Sequence, residues 1–199
     1  MNYNNFYINQ KRSLRRTLSR FRLGGQQIAQ HPWHVIIMIG IVILIFIAWQ
    51  SQKNIISAEY FPATIYKILE VIIQALLMIL CIVSEIAYIK VVGELTARET
   101  EACVAVAFKL TETADNHPIL ISQKTGKQKG MKILEFYSDI SMKEWKDKMD
   151  SIADMLNVHF VKPHIEYGGK QNNNGRIIRL YTLKGRTPQE RGFLYDDEL

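Results

Sequence analysis

Val35-Ile-Ile-Met-Ile-Gly-Ile-Val-Ile-Leu-Ile-Phe-Ile-Ala-Trp49 contains no charge and no strongly polar group. Counted from Trp33 the run is 17 residues long, at the lower end of the roughly 17–25 residues that cross a hydrocarbon core as a helix. A helix at the surface of a soluble domain needs one polar face, and this stretch offers none. Trp33 and Trp49 stand at its two ends, where indole rings favour the headgroup region. A cleaved signal peptide is the competing reading. More than 30 residues precede the run and no small-x-small site follows it, so we expect it to stay as a transmembrane helix over 33–49.

Working outward, a second apolar run extends from Ile65 to Val92. It carries Lys67, Glu70, Gln74 and Glu85, and its clean centre is Val71 to Ser84. We expect a second span over 66–90, and hence a two-helix transmembrane hairpin within 33–92. Ionisable groups at membrane depth are costly and turn toward a partner or water. Glu70 lies within helical reach of Lys67 and Gln74. Glu85 lies about a turn inside the far boundary, where it can snorkel outward or bond a neighbouring subunit. Glu70 and Glu85 are thus candidate intramembrane contacts. Only Gln50 to Thr64 separate the runs, too few for a folded unit.

The formal charge of +6 is unevenly spread. Residues 1–32 hold Lys11, Arg12, Arg15, Arg16, Arg20 and Arg22 and no Asp or Glu, so the pI of 9.3 belongs largely to this tail. Beside a membrane span, such a tail sets orientation and meets anionic lipid. These six residues, with Trp33 and Trp49, are the candidate lipid contacts. The tail is then cytoplasmic, and two spans return the C-terminal region to the same side. Leu14, Leu18 and Phe21 fall at helical spacing among the arginines, which fits a basic amphipathic helix at the interface that Gly24-Gly25 would end. A disordered orienting tail fits equally. A mean hydropathy of -0.05 conceals all of this segregation.

From Gly93 the chain turns polar. Leu95, Cys103, Val106 and Leu110 keep helical spacing, so a juxtamembrane helix is expected within 93–115, over about Glu94 to Thr113, continuing or following the second span. Cys81 and Cys103 on one such helix would stand roughly 33 Å apart, too far for a disulfide. Asp115-Asn-His-Pro118 is a turn signal, Ile119 to Ser122 a short extended segment, and Lys124 to Gly130 a basic loop. Met131 to Tyr137 reads as a strand. Ser141-Met-Lys-Glu144 is a capping box, and Met142, Trp145, Met149, Ile152 and Leu156 continue it as one four-turn amphipathic helix that Asn157 closes. Val158 to Tyr167 reads as a strand with Pro163 marking an edge or bulge, and Arg176 to Leu183 as its return strand after a polar loop. The expected fold is a membrane α-helical hairpin plus a small cytosolic α+β domain over 116–199, ordered strand, helix, strand, strand.

The chemistry of common enzyme classes is missing from this pattern. Gly126-Lys-Gln-Lys-Gly130 lacks the spacing of a phosphate-binding loop. His159 and His164, five apart on a strand, face opposite sides unless Pro163 inserts a bulge. No Ser lies in a Gly-x-Ser-x-Gly elbow. We expect no catalytic residue, no metal, no cofactor and no small-molecule substrate. Lys124, Lys127, Lys129 and Lys132 form a candidate nucleic-acid contact.

Ile133-Leu-Glu-Phe-Tyr-Ser138, Ile140-Ser-Met-Lys-Glu-Trp145, Leu156-Asn-Val158, Ile165-Glu-Tyr-Gly168 and Tyr195-Asp-Asp197 together resemble the region just before the motor in FtsK/SpoIIIE-type DNA translocases, above all the coupling proteins of Gram-positive conjugative elements. The layout matches over the whole chain and the motifs over about a third of it. The resemblance implies a bacterial plasma-membrane protein with a two-span anchor, and as partners self-association or a translocase or secretion-channel subunit. The family's ATPase domain would start near Leu199. The resemblance therefore implies an anchor and assembly role without ATP hydrolysis.

Overall fold

The computed structural model describes residues 3–55, 62–111, 116–169 and 171–185, with side chains for 10–51, 62, 65–111, 116–169 and 171–185. The chain divides into two units, residues 1–98 and 99–199.

In the first unit α1 runs Tyr3–Gln30, α2 Trp33–Ile55, and α3 starts at Ala63. Pro32 has no amide proton to continue α1 and its fixed φ suits the start of α2. α2 outlasts the expected span by a turn and a half, so the connection is shorter than the 50–64 segment suggested. Its residues 56–61 lie outside the described residues. The half-buried or buried positions of α2 recur at His34, Met38, Ile41, Ile45 and Trp49. Those of α3 recur at Tyr66, Glu70, Ile73, Leu77, Cys81, Ser84 and Tyr88. Spacings of three and four place each set on one helix face, and the 2.8 Å hydrogen bond between His34 Nδ1 and Tyr88 Oη ties the two stripes together. Most of the remaining apolar side chains, among them Ile36, Leu44, Val71 and Leu76, are exposed.

α1 departs from the sequence expectation. Gly24-Gly25 does not end it, because Gly24 lies at a helix crossing. A Cβ at Gly24 would come within 2.0 Å of the Ile89 carbonyl oxygen, and one at Gly93 within 1.8 Å of the Arg20 carbonyl oxygen. Two backbones meet where both helices lack a side chain. Ser19, Arg20, Leu23, Val92 and Ala97 are buried around this crossing. The crossing therefore uses the Ser19–Leu23 side of α1, while Leu14 and Leu18 stay exposed.

α3 does not break at Gly93; it is one helix, Ala63–Ala107. It ends six residues before Thr113 in a turn of the Schellman type. Leu110 N donates to Ala105 O at 3.0 Å and Lys109 N to Val106 O at 2.9 Å, with Lys109 at φ 56 in the left-handed position usually held by glycine. Both cysteines are free on this helix.

The second unit contains a four-stranded antiparallel sheet, β1 Ile119–Thr125, β2 Met131–Tyr137, β3 Val158–Gly168 and β4 Asn174–Lys184, in the order β1-β2-β4-β3. The short extended segment of the sequence reading is thus a full strand, and the order begins strand-strand. Between β2 and β3 the expected single helix is two, α4 Met142–Asp147 and α5 Met149–Leu156, parted where Lys148 leaves helical dihedrals at φ -101, ψ 5. Ser141 accepts from Glu144 N as its cap, and Asn157 in the left-handed region closes α5. One sheet face supplies Leu134, Phe136, Ile178, Leu180 and Thr182 to a core that includes Trp145, Ile152 and Leu120. The Trp145 ring lies 5.5 Å from Phe136 and 4.9 Å, edge-on, from Phe108, and its Nε1 donates to Ser138 Oγ at 3.2 Å. Pro163 sits on the edge strand β3, inside a register irregularity between Phe160 and Ile165, because proline cannot serve a ladder from both sides.

Candidate membrane and partner-binding surfaces

Among the described residues two helices are long and apolar enough to cross a membrane, through Trp33–Ser51 and within Ile65–Ala107, and almost nothing of either apolar stretch is buried within the chain. Trp33 is exposed and lies 3.6 Å from the His34 ring. Trp49 is half-buried on the α2 stripe. At 1.5 Å per residue the two indoles stand about 24 Å apart along the helix.

Glu70, Gln74, Ser84 and Glu85 lie on the half-buried side of α3, while Lys67 is exposed. Gln74 Nε2 donates to Glu70 Oε1 at 3.2 Å, the local pairing that four-residue spacing suggested. Ser84 Oγ donates to Cys81 O at 2.9 Å. Both Glu85 carboxylate oxygens are buried, without a hydrogen-bond partner among the described residues. A buried carboxylate without a donor costs free energy, so this position is the unbalanced point of the hairpin.

The six cations of the tail separate into two groups. Arg20 is 1% exposed and its Nε donates to Glu94 Oε2 at 2.6 Å, so it sits between α1 and α3. Arg16 Nη2 lies 3.8 Å from Glu94 Oε1, and Arg12 and Arg15 also have interactions. Lys11 and Arg22 are exposed and make none among the described residues.

In the second unit, Lys124, Lys127, Lys129 and Lys132 are all exposed at the β1–β2 hairpin. Gly126 N bonds Met131 O at 2.8 Å and Gly130 takes φ 82 to close the turn. The register Lys132↔Thr182 brings exposed Lys184 of β4 to the same end; only the strand pairing reveals this fifth cation. His159 Nδ1 lies 2.7 Å from Gly185 O. Among the described residues no group of three His, Cys, Asp or Glu could hold a metal ion.

Sequence reasoning also missed a polar cluster on the sheet face away from the helices. Register places Glu135, Arg179 and Glu166 side by side on three strands. Arg179 donates to Glu135 Oε1 at 2.7 and 2.9 Å, to Glu166 Oε1 at 3.0 Å and to Asn172 Oδ1 at 2.7 Å, and the Tyr181 hydroxyl donates to Glu166. Burial works against the Arg179 charge, yet its bonds to Glu135, Tyr181 and Glu166 hold its pKa above the ordinary value. Burial and the Glu166 bond push the Tyr181 hydroxyl up. This network cross-links three strands, and opposite charges in direct register are what such a face needs to remain paired.

No protein-family model and no curated protein matches the chain. Among solved structures it is similar to the pCW3 conjugation coupling protein TcpA, in its monomer form with ATPγS, at 23% identity and a TM-score of 0.35. The similarity covers 45% of this chain and 25% of that protein, so the chain spans about a quarter of that protein's length.

Proposed function

We propose that the chain is a membrane-anchored, non-enzymatic component of a conjugative or mobile-element DNA-transfer apparatus, serving as an anchor and assembly module of an FtsK-like coupling protein. In this reading α2 and α3 form a two-span hairpin in the bacterial plasma membrane, with residues 1–32 and the sheet unit both cytoplasmic. The partners are bilayer lipid and either further copies or a translocase or secretion-channel subunit. The observation that carries the anchor role is the pair of apolar helices whose outward side chains find no cover within the chain. A lipid solvent removes the cost of exposing them. The DNA-transfer part rests on sequence motifs that fall on consecutive elements of the sheet unit. Ile133–Ser138 is β2 and its exit, Ile140–Trp145 the capped start of α4, Leu156–Val158 the entry to β3, and Ile165–Gly168 its end. Tyr195-Asp-Asp197 lies outside the described residues.

The test is affinity purification of the tagged full chain, cross-linked in isolated membranes of conjugating cells. Recovery of a translocase or channel subunit is expected. Extraction of the chain into the supernatant by alkaline carbonate would overturn the anchor, and membranes yielding neither partner would overturn the transfer role.

The five exposed lysines at one end of the sheet favour a second reading, a membrane-tethered DNA- or lipid-binding regulatory protein unrelated to conjugation. Duplex DNA binding whose affinity falls linearly on logarithmic axes with salt, in the absence of any transfer partner, would select it.

A further inference from the structure

The tail cations were one undivided group in the sequence. The structure separates them, and what it leaves outward is ordered. Lys11, Leu14, Leu18 and Arg22 follow one another at spacings of three, four and four, the period of one helix face, and Gly25 continues it. Leu14 is 61% and Leu18 69% exposed. Lys11 and Arg22 are the tail cations with no interaction among the described residues. The opposite side of α1 is occupied by the crossing at Gly24 and Gly93 and by the Arg20–Glu94 bond. α1 is thus fastened to α3 at Ile89–Glu94, where the apolar run of α3 closes.

We infer that the Lys11–Leu14–Leu18–Arg22 stripe docks on the anionic phospholipid headgroups of the same bilayer that holds α2 and α3, its leucines entering the acyl boundary and its two cations meeting lipid phosphates. The inference rests on the anchor reading above. Charge complementarity is its first support, since residues 1–32 contain no acidic side chain. The two leucines decide between occupants. A nucleic acid backbone would use the cations and leave two large apolar side chains in water, whereas an interfacial helix uses both kinds of residue on one stripe. Long cationic side chains beside the leucines reach the phosphates from such a position.

Gly25 offers the probe. A Cβ there meets nothing within 4 Å, so Gly25→Cys in a Cys81→Ala, Cys103→Ala background carries an environment-sensitive dye on the stripe without altering it. The full chain is reconstituted in vesicles of phosphatidylcholine alone or with one-third phosphatidylglycerol, and retention after carbonate treatment is measured on the same samples. A blue-shifted, brighter dye in the anionic vesicles, reversed by salt, is expected. Each cation near an anionic surface contributes roughly fivefold to docking, so Lys11→Gln with Arg22→Gln should lower the docked-to-free ratio roughly thirtyfold, and Leu14→Ser with Leu18→Ser should abolish the shift. Retained protein whose dye emits identically in both vesicle types overturns the docking inference and leaves the anchor standing. Protein stripped by carbonate overturns the anchor and the inference together. A dye that responds to added duplex DNA but not to anionic lipid replaces the membrane by nucleic acid and likewise overturns it.

Discussion

Gly24 and Gly25 are neighbours in the same helix, and alanine at each should act with opposite sign. A methyl at Gly24 would sit 2.0 Å from the Ile89 carbonyl oxygen and 2.9 Å from its carbonyl carbon. Ordinary contact begins near 3.4 Å, so α1 must move away by about 1.4 Å. The obstacle is backbone within a 45-residue helix, not a side chain that can rotate. A gap of that size forfeits much of the contact around Ser19, Leu23, Val92 and Ala97, since dispersion falls by a quarter to a half over only about 0.5–1 Å. Overpacking of this kind costs about 1–3 kcal/mol, and the crossing's backbone contact puts Gly24→Ala at the upper end, offset by about 1 kcal/mol of helix propensity. A net loss of about 2 kcal/mol follows, roughly thirtyfold in the opening equilibrium of α1. At Gly25 nothing lies in the way, so alanine there gains up to about 1 kcal/mol. Hydrogen exchange of the α1 amides, with the chain in nanodiscs, reads both. Gly24→Ala with Gly93→Ala should cost little more than either alone, because both block one crossing. If Gly24→Ala and Gly25→Ala change protection in the same direction, the reasoning is refuted.

Glu94→Ala removes the 2.6 Å charge-assisted bond to buried Arg20 and should loosen α1 by about 1–2 kcal/mol, less than a fully buried pair because Glu94 is 45% exposed; equal protection of α1 in both proteins would count against it. Trp145→Ala opens a cavity between Phe136, Phe108 and Ser138 and should cost about 3–5 kcal/mol in urea unfolding of the sheet unit, while Trp145→Phe should cost clearly less. Tyr181 has its folded pKa raised above 10, so the Tyr181–Glu166 contribution is whole below pH 10 and is lost as pH rises through the raised value. Exchange protection of the β3–β4 amides should therefore hold to about pH 9 and fall in the alkaline range, and Tyr181→Phe should remove that step.

Elements set by local rules were legible in the residues. An apolar run without a polar face specifies α2, a Ser-x-x-Glu box starts α4, and Asn157 stops α5, each through interactions reaching no further than four residues. The misreadings have a common cause, which is that distant partners decide them. Gly24-Gly25 looks like a stop because glycine is a poor helix former, and only α3 explains its place in a helix. The end of α3 carries no glycine or proline, so nothing local marks Lys109 as a left-handed cap. β1 appeared as four residues because Gln123 to Thr125 are polar; pairing with Ile133 and Leu134 extends it. The candidate surfaces follow the same division. Composition located the cations of the tail and the hairpin. Which of them remain outward, and the Arg179 network that joins three strands, depend on packing and register that residue spacing does not encode.

The two rims of the sheet carry a further implication. Proteins gathered on a surface experience high local crowding, and a small sheet with open borders invites neighbours to zip onto it as an endless ribbon. Here the β1 border is interrupted between Leu120 and Ser122, and the Leu120 amide is already taken by Glu101. The β3 border is broken around Pro163. Neither rim offers a straight ladder to a newcomer, so extension of the sheet by a further strand is hindered at both borders.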